Sequence, residues 1–204
     1  MNPRLSLLQP YPFEKLRDLF AGVTPAALPP IRLSIGEPQH PTPAFIRDAL
    51  AAHLDGLSVY PTTAGDARLM KSFLAYRTYH GSAMGPSAQE ASIAAWQDEA
   101  HVLDNRDRYR AKFDAALRLL SPVLGVSRPD GGFYLWARTP GDDATFAKEL
   151  YRATNVTVLA GQYLGRDAGG INPGHGYVRI ALVPDYDACI EAVERIASFC
   201  RSRD

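Results

Sequence analysis

Residues 57–81 read LSVYPTTAGDARLMKSFLAYRTYHG, and how that stretch is parsed decides the fold. Up to Gly65 it is a loop, a tyrosine followed by Pro–Thr–Thr–Ala–Gly, which can present a phenol and hydroxyls to an anion. From Asp66 onward it reads as a helix. The two pieces look like separate sentences joined in the middle, which raises the question of what ordinarily lies between them.

The chain has 204 residues, room for one generous domain or two small ones. Hydrophobic residues make up 46% and charged residues 22%, the balance of an ordinary soluble globular protein. The 22 basic and 22 acidic residues cancel, and neither sign is massed in a run. This argues against nucleic acid or an acidic membrane as the main partner. The start, MNPRLSLLQPYPF, lacks the apolar core of a signal peptide, and no apolar run is long enough to span a bilayer, so a cytoplasmic location is expected. The two cysteines, Cys189 and Cys200, recur with Val193 and Ile196 at helical spacing. Their separation along a helix is roughly 16 Å, too far for a disulfide. They are expected to be small apolar residues of a buried face.

Outward from the opening stretch, residues 10–21 (PYPFEKLRDLFA) form an amphipathic pattern with Phe13, Leu16 and Phe20 on one side and Gly22 as the stop. Residues 24–43 hold six prolines, which excludes a helix or a central strand. A second helix begins at Pro43. From about residue 86 one long helical pattern runs to about residue 120. After GVSRPDGG the period changes. GFYLWAR (132–138) reads as a strand, DATFAKELYRA (143–153) as a helix, and NVTVLA (155–160) and GYVRIALV (176–183) as strands. Residues 185–201 read as a closing helix. The order suggests an α+β layer with helices on one face of a small sheet.

Standard catalytic motifs are lacking. His40, His53, His80, His101 and His175 have no ligand-like spacing with one another or with a cysteine, so no metal site is expected. The glycine-rich DAGGINPGHG (167–176) does not follow a strand as a dinucleotide loop must, and is better read as a hairpin loop between the strands at 155–160 and 176–183. Three stretches carry more. In SIGEPQHPTP, Gly36 lets backbone approach a ligand closely; the bland alternative is a stiff surface linker. In SVYPTTAG, Tyr60 offers its phenol, or else anchors a helix exit. In GYVRIALV, alternation puts Tyr177, Arg179, Ala181 and Val183 on one face. Arg179 there is either a bidentate carboxylate clamp or an edge-strand arginine reaching for water.

Together IGEPQHPTP, YPTTAG, GFYLWAR, TNVTVLAGQYLG and VRIALV, in that order, resemble the fold-type I pyridoxal-phosphate aminotransferases. SLLQPYPFEKLRDLF and YRTYHGSAM are closer still to the succinyldiaminopimelate aminotransferases of bacterial lysine synthesis, the diaminopimelate pathway. The resemblance implies that Gly36 lies in the N-terminal segment closing over the substrate. It implies that Tyr60 reaches the cofactor phosphate, usually of the neighbouring subunit in a homodimer, and that Arg179 binds the α-carboxylate of an amino-acid or 2-oxo-acid substrate. The family's chemistry uses a lysine to hold the cofactor, an aspartate at its pyridine nitrogen, and serines, an arginine and a helix start at its phosphate.

The resemblance also answers the opening question. In the family, chain like YPTTAG leads into the large cofactor domain, and chain like GDARLMKSFLAYRTYHGSAM follows only after it. Here the second begins at Gly65 itself. The expected fold is therefore an α+β remnant: an N-terminal segment over residues 1–65, then a long helix and small domain over 66–204, with the large pyridoxal-phosphate domain deleted. Basic residues are 18 Arg against four Lys: Lys15, Lys71, Lys112 and Lys148. None has the family's Ser-x-x-Lys context, and all four are expected at the surface. No catalytic residue is assigned, and covalent cofactor binding is not expected. Two functions stay open: an aminotransferase by relationship that is inactive alone or dependent on an intact partner, and a non-catalytic carboxylate-binding or subunit-interaction module. The N-terminal segment is expected to be loosely held, with its exposed apolar face promoting self-association.

Overall fold

A computed structural model describes residues 11–37, 40–58, 85–167 and 169–203. The stretch that opened the sequence reading lies outside these from Val59 onward, as do Tyr60, Lys71 and the proposed boundary at residue 65. By Cα proximity the chain divides into two units, Met1–His40 with Arg108–Asp204, and Pro41–Asp107.

The first unit holds both sheets. Helix α1 (Pro12–Phe20) opens with proline at its first position, where no N–H is needed. It buries Leu16 and stacks Phe20 on Tyr151, with ring centroids 4.2 Å apart. Gly22, at φ +71°, makes the left-handed turn that ends it. Strand β1 is only Ile31–Arg32. Beyond helix α4 (Ala100–Leu120), described with the second unit, come β2 (Tyr134–Arg138), α5 (Asp143–Thr154), β3 (Val156–Thr157), β4 (Leu159–Ala160), β5 (Tyr177–Ala181) and α6 (Tyr186–Arg201).

β5 is the centre of an antiparallel sheet in the order β2-β5-β4, with Trp136 and Leu159 both opposite Arg179. Strand alternation puts Leu135, Ala137, Val178 and Ile180 into the core, where α5, α6 and the second half of α4 cover them. Carboxylates cap both later helices: Asp142 accepts from the Thr145 N–H, and Asp185 from that of Ala188. Cys189 and Cys200 are buried on α6 and not joined in a disulfide, and burial pushes the Cys189 thiol up to about 11. The hairpin reading of the glycine-rich loop holds, since β4 and β5 pair antiparallel across it. NVTVLA, however, is two strands. Val158 turns the chain from a parallel pairing of β3 with β1 to the antiparallel pairing of β4 with β5.

Within the N-terminal segment, residues 26–33 are tied to the rest of the first unit rather than loosely held. The Ala26 N–H donates to Arg152 O, Asn155 Nδ2 to Leu28 O, Arg195 Nη1 to Pro29 O, and the Ile31 and Leu33 N–H groups to Asn155 O and Thr157 O. The Ala181 N–H donates to Leu33 O, so the segment bridges β3 and β5. Prolines keep it extended, and its unpaired carbonyls are served by side chains from α5 and α6. We therefore expect limited proteolysis to cut residues 26–34 no faster than residues 176–183. Preferential early cleavage at 26–34 would show these bonds to be absent in solution.

The second unit contains α2 (Ala44–Ala52), a 3₁₀ turn over Leu54–Ser58, and α3 (Pro86–Gln97). The Ser87 hydroxyl donates to His53 O, and Phe45 meets His101 edge-on at 5.4 Å. The long helix expected over 86–120 is two helices. Asp98 is extended (φ −108°, ψ 115°), ending α3, and its carboxylate accepts from the His101 N–H at 2.8 Å to start α4. That bond, and a second one to the His101 ring nitrogen Nδ1, hold the Asp98 carboxyl below its usual range. Trp96 and Leu103, on either side of the break, are both exposed. No helix among the described residues is long and apolar enough to cross a membrane.

Candidate functional site

β5 and the segment after β1 bring two of the three sequence candidates together. Arg179 Nη2 donates to Ser34 O at 2.7 Å, and its guanidinium lies over the Tyr134 ring, 4.5 Å from the centroid. Its Nε is buried and has no hydrogen-bond partner among the described residues. Among the described residues the groups that hold this cation are neutral, a carbonyl and a ring face. The Nε–H is a donor left over, and an unmade buried hydrogen bond costs on the order of 1–3 kcal/mol. Gly36 stands two residues beyond Ser34. A Cβ there would fall 1.6 Å from the Tyr134 hydroxyl oxygen, so the close approach that calls for glycine is to this phenol. Tyr60 lies outside the described residues.

Tyr134 is the residue that reading the sequence missed. It sits in GFYLWAR, recognised as a strand, but its place beside Arg179 depends on the β2–β5 register, which is nonlocal. Lys112 is the second. It is not a surface lysine: only 1% of it is exposed. Its Nζ donates to Leu182 O at 3.2 Å and to Pro184 O, meets His40 Nε2 at 3.0 Å, and lies 4.8 Å from the Tyr109 ring centroid. Three N–H groups thus have three partners. Burial lowers the affinity of this amine for its proton. One signal was legible. Lys112 falls three residues after Tyr109 and four before Ala116, both buried on α4.

A second polar cluster joins α5 to the glycine-rich loop. Asp143, fully buried, accepts from Gln162 N at 2.9 Å, Gln162 Nε2 at 3.0 Å and Gly176 N at 2.9 Å, with His175 Nδ1 at 3.4 Å. Asp142, Asp143 and His175 bring their ligand atoms within 4.8 Å of one another. Histidine and cysteine spacings alone do not reveal this group, because two of its three members are adjacent aspartates. Its buried carboxylate is committed to holding the loop.

The described residues do not fit pyridoxal phosphate. An imine at Lys112 would remove hydrogens that Leu182 O and Pro184 O accept. The N-termini of α5 and α6, natural phosphate sites, are filled by the Asp142 and Asp185 carboxylates.

This architecture, a small sheet with an arginine on its central strand and helices on the opposite face, defines an aminotransferase-like small domain. The chain is related to the aminotransferases and carries part of their fold. It is 30% identical over 137 residues to the LL-diaminopimelate aminotransferase of Maridesulfovibrio salexigens, a match covering 65% of this chain and 34% of that protein. The chain thus spans about a third of the length of the curated relatives it matches. A crystal structure of an aminotransferase from Neisseria meningitidis superposes with a TM-score of 0.88 at 26% identity, covering 98% of this chain and 100% of that one. A probable N-succinyldiaminopimelate aminotransferase from Thermus thermophilus matches 61% of this chain and 34% of its own, with a TM-score of 0.50 and 25% identity. No protein-family model matches the sequence.

Proposed function

We propose that this chain is a cytoplasmic, self-associating remnant of the succinyldiaminopimelate-type aminotransferases that binds carboxylates and does not transaminate by itself. The observation that carries the reading is Arg179, a cation held by neutral groups with a buried Nε–H unused. A carboxylate would supply the missing acceptor and the countercharge in one bidentate contact. That none of the four lysines stands in the Ser-x-x-Lys context of the family supports the loss of transamination. The relationship to diaminopimelate aminotransferases favours amino-acid and 2-oxo-acid ligands.

The test is a titration with glutarate or 2-oxoglutarate. Binding is expected in roughly the millimolar range, because one clamp lacks the other walls of a pocket. Arg179→Lys, which loses the planar fork, should weaken it about fivefold. Equal affinity for the two proteins would remove Arg179 from the site. Transamination of succinyldiaminopimelate or glutamate by the isolated chain would make it an enzyme in its own right.

A further inference from the structure

The Arg179 site stands on β5 and, after β1, on residues 33–37, with His40 a few positions further on. They meet at Arg179 itself, through Ser34 O, and at the Ala181–Leu33 backbone bond. They meet again, deep in the same unit, at one atom. Lys112 Nζ holds Leu182 O and Pro184 O, the carbonyls that continue β5, and on its remaining side meets the His40 ring that ends the N-terminal segment. β2 joins the arrangement because the Leu182 N–H donates to Phe133 O, next to Tyr134. The amine is carried on α4, whose neighbouring Tyr109, Phe113 and Ala116 are packed in the core.

Stability alone does not explain a lysine here. A methionine of similar length would fill the space without desolvating a charge, and replacing buried ions by apolar groups is often neutral or stabilising. What an apolar side chain cannot do is hold two carbonyls and a ring nitrogen at fixed directions. Resting on the carboxylate reading above, we propose that Lys112 is a positioning residue. By fastening β5 and the His40 end of the N-terminal segment to one point on α4, it fixes the guanidinium of Arg179 between Ser34 and Tyr134, so that the Nε–H is presented to the ligand.

The test compares Lys112→Met and Lys112→Gln, the second keeping two N–H donors on a shorter stem, with Ile196→Val, a mild core change on α6. Two readouts are taken from each folded protein. The first is solvent exchange of the Arg179 Nε–H by NMR, its signal identified by its loss in Arg179→Lys. The second is glutarate affinity. Lys112→Met is expected to speed exchange at least tenfold and weaken glutarate at least fivefold, Lys112→Gln to recover part of both, and Ile196→Val to change neither. Unchanged exchange in Lys112→Met overturns the proposal whatever the affinity does. So does a change in both readouts that Ile196→Val reproduces in proportion to its loss of melting temperature. If the wild type does not bind glutarate, the carboxylate reading fails, while the exchange comparison still decides whether Lys112 positions Arg179. If Lys112→Met does not fold, Lys112→Gln carries the comparison, and wild-type exchange and affinity in that variant overturn the proposal.

Discussion

Gly36→Ala should destabilise the unit that contains it by about 2 kcal/mol, the usual scale for forcing a methyl into occupied space. For a chain of this size that corresponds to a melting shift of roughly 4–8 °C. The new Cβ would stand 1.6 Å from the Tyr134 hydroxyl oxygen and 2.5 Å from its ring carbon Cζ, so small adjustments do not relieve it. Either the backbone of 34–37 lifts or the tyrosine turns away. The second exit is costly because the ring is held from both sides: the Arg179 guanidinium lies over it, and Phe133 packs against it with centroids 4.5 Å apart. Both exits disturb Arg179, one through Ser34 O and the other through the ring, so the same substitution should also weaken carboxylate binding. Tyr134→Ala added to Gly36→Ala should recover most of the loss the glycine change causes, giving a coupling of about 1–2 kcal/mol. Thermal unfolding of the four proteins of the cycle measures it. Additive effects would mean that Gly36 and Tyr134 do not touch.

Gly36 shows how far the sequence alone reaches. A glycine between prolines signals close approach, but not to what; the partner is ninety-eight positions away and set by strand register. Strands 132–138 and 176–183 were legible because their alternation is local and strong, and the closing helix because its apolar residues repeat at helical spacing. The break at Asp98 was not, since the helical pattern continues across it and only the carboxylate bond to the His101 N–H marks the restart. The grip on residues 26–34 was invisible for a related reason. Its acceptors and donors are largely backbone groups of β3 and the end of α5, and side-chain patterns do not record them. Lys112 failed through a prior: lysines are almost never fully buried unless paired, and its partners are carbonyls and a ring, not an acid.

That correction changes what an aldehyde should label. Pyridoxal phosphate added to the protein and fixed with borohydride is expected to mark Lys15 and Lys148, both half-exposed, and to spare Lys112. Two effects oppose each other at Lys112. Burial holds its proton affinity below the ordinary lysine range, which leaves more of the nucleophilic free amine at neutral pH. The same burial leaves 1% of the residue exposed and commits the nitrogen to Leu182 O, Pro184 O and His40. Access wins, because reaction must wait for a local opening. An opening that costs about 3 kcal/mol slows labelling roughly a hundredfold. Peptide mapping after reduction should therefore recover label scattered over the accessible lysines. Lys112 should appear only when the protein is labelled in denaturant, at a rate then equal to that of Lys15. A yellow native protein carrying one equivalent of label at Lys112 would show that the buried amine is a cofactor site after all, and would return the chain to the active aminotransferases.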